Sequence, residues 1–406
     1  MVQTVNKGLW LWLVVGLSAC TSSHRPALTQ NAPVPMAAQA FGGGNLLSYD
    51  VYAEGDVLHA LFAVAGSEPK RPHIGYVRSE DGGRSWSEPS ALAQAADKTV
   101  ESAAGNEIQI AAYGDDLLAL WQVTGEVPGM GPLQSWYSRD GGKHWAQGAN
   151  PTASDGDQSH PDVLADRQGR FHLVWLDDRD ENGYQGLRYA RTEDMGQHWD
   201  WAQTIDDSSC SCCWNRLLLG DKERIHALYR DMEPRDMALA QSENAGQSWQ
   251  RLSTAGAFNW TFDGCPHNGG ALASADGHTL HALVWTGADN QAGLYYVRSP
   301  DNGHNWTPPE AMGQGTLAFH SDLAVAADNG ASRLLAIWDA RGPEGSVVMS
   351  SESADEGVHW SAARQLSTPG RSAEFPRVIA TSAGFLAFWF EQVPSGGKHW
   401  MSMILE

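Results

Sequence analysis

Positive charge is what this sequence has least of. Its 406 residues carry 27 Lys and Arg against 48 Asp and Glu, a formal net charge of −21 at pH 7, which repels phosphate backbones and anionic headgroups. Nucleic acid is excluded as a partner. Long apolar runs are equally scarce: Leu9–Leu17 is the one notable stretch, and it is too short to span a bilayer. Cysteine is limited to five residues, and with 42% hydrophobic residues the chain is long enough to bury a core without disulfide staples. What is abundant is glycine, at 43 residues, and tryptophan, at 18. Tight turns combined with many aromatics suit short strands rather than long helices.

The first 19 residues read as an export signal, with one Lys (Lys7), the apolar run, then small residues before Cys20. Leu17-Ser18-Ala19-Cys20 resembles the lipobox of bacterial lipoproteins. That implies cleavage before Cys20, a lipid on this cysteine, and a place in the bacterial cell envelope, at the outer membrane or in the periplasm of a Gram-negative cell. Residues 20–44, rich in Ser, Pro, Ala, Gln and Gly, read as the lipidated Cys and a flexible tether. Residues 45–406 are the folded domain, expected as a monomer. Its expected partners are the membrane, through the anchor, and a small molecule, a glycan or a metal.

One motif recurs six times. It runs Ser79-x-Asp81-x-Gly83-x-x-Trp86, then Ser138/Asp140/Gly142/Trp145, Thr192/Asp194/Gly196/Trp199, Ser242/Asn244/Gly246/Trp249, Ser299/Asp301/Gly303/Trp306 and Ser353/Asp355/Gly357/Trp360. A hydroxyl and a carboxylate two residues apart can accept turn amides, Gly permits positive φ, and the Trp returns over the sheet. Upstream lies a second column of strand-like segments ending in an aromatic: Leu58–Phe62, Leu117–Trp121, Phe171–Trp175, Ile225–Tyr229, Leu280–Trp285, Leu334–Trp338 and Phe385–Trp389. There are seven of these, and the last has no box after it.

The boxes resemble the Asp-box of the sialidase (BNR-repeat) superfamily. The resemblance implies an all-β β-propeller whose boxes are scaffold, remote from the active face. Seven upstream segments favour seven blades over the six-bladed sialidase arrangement, with an N-terminal segment near 30–45 completing the last blade. His59, His172, His226 and His281 repeat at near-equivalent strand positions, which argues for packing.

The repeat register also collects chemistry on one face. Loops leading into the inner strands carry Ser159-His160-Pro161-Asp162, Cys210-Ser211-Cys212-Cys213-Trp214, Cys265-Pro266-His267-Asn268, His320-Ser321-Asp322 and Glu374-Phe375-Pro376-Arg377. Loops after the second strands carry Asp177-Asp178-Arg179, Arg230-Asp231 with Arg235-Asp236, Asp339-Ala340-Arg341 and Glu391-Gln392. Setting Cys20 aside leaves four cysteines, all in the loops into two adjacent blades. Two disulfides suit an oxidising compartment. The alternative is a soft-metal site for Cu(I) or Zn built from Cys210, Cys212, Cys213, Cys265 and His267, with His160 and His320 adjoining.

The sialidase resemblance adds a second functional expectation, hydrolysis of α-sialosides by an arginine clamp on the sugar carboxylate and an acid/base pair. Arg230, Arg341 and Arg377 are the clamp candidates, with Arg179 in reserve. Asp177, Asp162, Asp339, Glu374 and Glu391 are the acidic candidates, and Tyr184 and Tyr229 the nucleophile candidates. The superfamily's Arg-Ile-Pro motif is missing from residues 46–78.

Overall fold

The computed structural model describes residue 1 and residues 27–36, 45–66, 72–92, 99–125, 131–152, 158–177, 185–313, 318–328, 331–342, 345–394 and 396–406. The export signal, Cys20, Asp178, Arg179 and Tyr184 lie outside the described residues. Among the described residues there is no helix, and seven four-stranded antiparallel sheets make the seven blades of a β-propeller. The inner strands of blades 1 to 7 are Leu46–Glu54, Gln109–Tyr113, Gln158–Ala165, Arg216–Leu219, Ala271–Ala273, Ala318–Asp328 and Ala373–Thr381.

Both chain ends close the ring. Blade 7 takes its outer strand from the N-terminus, where Val34 and Pro35 pair with Ser402 and Met401. Leu28 is buried against Leu335, Val348 and Leu405, and its amide donates to Glu352. Residues 27–36 therefore belong to the propeller, which shortens the stretch available as a tether.

Apolar faces meet between blades. Val174, Leu176 and Tyr189 of blade 3, for example, pack against Ile225, Ala227 and Tyr229 of blade 4. The second strands end, as their sequence indicates, in buried aromatics, among them Trp121, Trp175, Trp338 and Trp389. Such side chains dominate core energetics because each removes a large apolar area from water. Polar stitching adds to it around the axis: Asp50, Asp162 and Asp322 accept the backbone amides of Ile110, Leu217 and Val378 at 2.9, 2.5 and 2.9 Å, each from a neighbouring inner strand.

Each box is a closed turn. Its Ser or Thr hydroxyl accepts the Gly amide at 2.8–2.9 Å, and its Asp accepts the amide four residues ahead of it in the chain. Asn244 fills the fourth box because its Oδ1 accepts the Ser248 amide just as a carboxylate would, at 3.0 Å. Gly246 is obligatory for two reasons. Its φ is +79°, and a Cβ there would stand 1.6 Å from the Tyr189 hydroxyl of the preceding blade. The repeated histidines are packing groups: His59, His172 and His281 bond the hydroxyls of Tyr76, Tyr189 and Tyr296 at 2.7–2.8 Å, and His226 contacts Gln241.

Candidate functional site

Four inner strands shift register at their loop-rich end, between Leu46 and Ser48, Ser159 and Asp162, Ala318 and Ser321, and Glu374 and Arg377. Such bulges re-aim side chains. His160 and Phe375 sit in two of them with φ of 51° and 53°, and His267 in a nearby loop has 49°, a left-handed conformation uncommon outside Gly and Asn. Together with Cys212, Trp214, His320 and Glu101 they wall a cavity of about 400 Å³.

Asp339 fixes one side of that cavity. Its carboxylate accepts the His320 amide at 3.1 Å, the His320 Nδ1 at 2.7 Å and the Phe375 amide at 3.0 Å. The His320 and Phe375 rings stack at 3.8 Å, and Trp214 lies 5.5 Å from His320. Burial lowers the His160 pKa to about 4, leaving the imidazole neutral and able to act as a ligand at neutral pH.

Tyr49, Glu107, Arg216 and Arg377 stand next to Trp214, His320 and Phe375 of that wall, and Arg216 and Arg377 also line a channel cavity of about 260 Å³. Asp50, Asp162, Asp322, Arg216 and Arg377 line it. Arg216 stands 3.5 Å from Asp162 and Arg377 3.6 Å from Asp50. Desolvation outweighs these partners, raising Asp162 to about 7 and Asp50 to about 6.

The cysteines converge at the rim. Cys210–Asn215 leads from the outer strand of blade 3, Gln203–Ser209, into blade 4, while residues 256–270 lead from blade 4 into blade 5. Cys210 Sγ lies 3.7 Å from Cys212 Sγ and 3.4 Å from Cys213 Sγ. Cys212, Cys265 and His267 offer ligand atoms within 4.8 Å of one another. All four cysteines are free thiols, so the two disulfides expected as one alternative are not formed. Sulfurs bound at ~2.3 Å to one ion stand roughly 3.8–4.0 Å apart, against ~2.05 Å in a bridge. Both Cys210 spacings are too long for a bridge, and the 3.7 Å one is close to the metal-bound separation. Hydrogen bonds from Cys212 and Cys213, and then the charge of Arg235, hold the Cys210 thiol below its usual range.

The residues expected to form an arginine clamp do not come together. Arg230 is buried, donates to the carbonyls of Asn268, Arg235 and Trp285, and lies 5.4 Å from the Trp260 ring, so it braces loops. Arg341 is exposed over the Phe319 ring at 4.9 Å, apart from the cavity lining. Of the three clamp candidates described, Arg377 alone lines the channel. Asp177 is fully buried and accepts the Trp175 indole at 3.0 Å; Glu391 does the same for Trp389, while also accepting Arg371. Both carboxylates are held by indoles of their own blades and stand outside the lining of the cavity and the channel. Glu374 pairs with Lys398, and the Tyr229 hydroxyl donates to Asp206 at 2.6 Å.

Two participants carry little signal in the sequence. Arg216 is the first residue of a strand otherwise made of Leu217, Leu218 and Leu219, and that lone charge on an inner strand is its only signal. Arg235 was visible merely as one charged residue of a polar loop.

The fold and its six boxes define an Asp-box β-propeller. The BNR repeat-like domain model matches residues 43–256, just over half of the chain, and the chain belongs to that family. No curated protein sequence matches it. Among solved structures, an ulvan lyase of polysaccharide lyase family PL25 has a TM-score of 0.58 at 12% identity, covering 92% of this chain and 93% of that one. YCF48 bound to D1 peptide has a TM-score of 0.53 at 14% identity, covering 94% and 96%. The NanB sialidase from Streptococcus pneumoniae has a TM-score of 0.48 at 10% identity, covering 90% and 70%. The likeness is one of fold.

Proposed function

We propose that this chain is an exported, lipid-anchored propeller that binds a soft metal ion, Cu(I) or Zn, at the mouth of its channel. The observation that carries the reading is the convergence of Cys210, Cys212, Cys213, Cys265 and His267 from two loops onto one rim. Soft sulfur and imidazole donors select such metals. In an oxidising compartment a bound ion would also protect these thiols from pairing as disulfides. His160 and His320 supply further donors on the cavity wall. The anchor is Cys20, within its lipobox-like Leu17-Ser18-Ala19-Cys20.

Hydrolysis of sialosides has less support. It rests on family membership, and the clamp candidates Arg230 and Arg341 stand away from Arg377 in role and exposure. Elemental analysis and thiol counting on the full chain, purified in detergent without added metal, test the metal reading. Bound copper or zinc with four protected thiols is expected. Four oxidised cysteines, or four reactive thiols that take up no added Cu(I) or Zn, would sink it.

A further inference from the structure

The cysteine cluster divides into two unequal halves that share one sulfur. Cys210, Cys212 and Cys213 form a buried triad, the residues being 1%, 8% and 1% exposed. Cys212 belongs equally to a second triad with Cys265 and His267, both of which are exposed. One set of three ligands satisfies one soft ion at three-coordinate geometry, and neither set can bring all five donors within reach of a single tetrahedral ion without leaving a donor over. The halves also differ in access: Cys212 and His267 line the 400 Å³ cavity and Cys265 is exposed, whereas Cys210 and Cys213 are buried and outside that lining. Arg235, 3.0 Å from Cys210, offsets negative charge on the inner side only.

Resting on the metal-binding reading, we infer that the rim holds two Cu(I) ions bridged by Cys212 Sγ, an outer exchangeable one and an inner retained one, and that the inner site fills through the outer. In the transfer, the incoming ion keeps its bond to Cys212. Its bonds to Cys265 Sγ and His267 break as bonds to Cys210 and Cys213 Sγ form. Cys210 enters as the thiolate that Arg235 faces, Cys213 releases its proton to solvent as it binds, the Cys265 thiolate takes one up as it leaves, and copper stays Cu(I) throughout. The outer ligands then accept a second ion.

Anaerobic titration of the full chain with Cu(I), followed by removal with a Cu(I)-selective chelator, tests this. Two ions per chain are expected, leaving in two phases of equal amplitude whose rates differ by about tenfold or more, as expected for ligand sets of such different exposure. Cys265→Ser with His267→Asn should bind one ion, lose the fast phase and load the remaining site at least about tenfold more slowly. Asn is chosen because it tolerates the left-handed backbone at 267. Cys210→Ser with Cys213→Ser should keep only the fast phase, and both variants are checked for native thermal unfolding. One ion per chain, two ions leaving at one rate, or inner loading indifferent to the outer pair would overturn the relay while leaving metal binding intact. No Cu(I) uptake at all would instead overturn the metal reading itself.

Discussion

The guanidinium of Arg235 donates to the sulfur of Cys210 across 3.0 Å, with both residues buried. A charge-assisted bond of this kind favours the thiolate over the thiol. It also orients the sulfur through a group that touches no metal.

Arg235→Gln should therefore weaken Cu(I) retention by about ten- to a hundredfold, the usual effect of removing an outer partner of a metal ligand. Chelator competition measures it. An unchanged affinity would mean that Arg235 serves only to hold the Phe262 carbonyl, which its Nε also reaches at 3.0 Å.

Much of this was legible beforehand. The Asp-boxes and the aromatic-ending strands repeat because every blade solves the same packing problem, so Trp121, Trp175, Trp338 and Trp389 could be placed from spacing alone. The loop-rich face followed from the same register, and with it the gathering of Cys212, His160, His267 and His320. What spacing does not carry is whether a charged loop residue faces ligand or braces the scaffold. Arg230, Asp177 and Glu391 look identical in sequence to groups that face a ligand, and each is instead a buried brace. Of the channel charges, Asp162, Asp322 and Arg377 stand in separate loops of the sequence while Asp50 and Arg216 carry no mark, and the pairing of Arg216 with Asp162 joins two blades whose contact no local pattern records. Cys210 and Cys213 stand three residues apart with Cys212 between them, a spacing easily passed over when the run is read as Cys-x-Cys-Cys.

Gly246→Ala and Gly370→Ala separate backbone strain from blade contact. Both positions have φ near +78°, at +79° and +77°, yet a Cβ at 370 meets nothing within 4 Å whereas one at 246 meets the Tyr189 hydroxyl. The first substitution should cost about 1 kcal/mol more from overpacking than the second, or up to about 3 kcal/mol more if Tyr189 cannot move. Paired denaturant unfolding curves give the difference directly. Equal losses would show that the blades part freely at this seam.

Asn244→Asp should be close to neutral, within about 0.5 kcal/mol. The amide now donates to Ser248 Oγ at 2.9 Å; with a carboxylate, Ser248 becomes the donor, the arrangement Ser85 adopts toward Asp81 at 2.6 Å. Thermal unfolding of the variant is the check, and a large drop would mean that the fourth box needs the amide hydrogen.

The channel makes stability depend on pH. Folded Asp162 titrates at about 7 against an ordinary 3.8, because burial disfavours its charge. Between these values the native chain binds a proton that the unfolded chain has released, so the contribution is favourable at low pH and declines as pH rises through about 4 to 7. Asp162→Asn keeps an acceptor for the Leu217 amide and should flatten that decline. Denaturant midpoints of the two proteins across this window decide it; parallel curves would place the titration elsewhere.

The strand that closes blade 7 also limits how far the molecule can stand from its anchor. Seven residue steps separate Cys20 from Ala27, where the chain joins the propeller, and at full extension they reach about 25 Å. If Cys20 carries the proposed lipid, the fold would be leashed to within about 25 Å of the bilayer. A pull on such a leash would arrive first at Leu28, so the proposed anchor and the latch of the ring would share one load path.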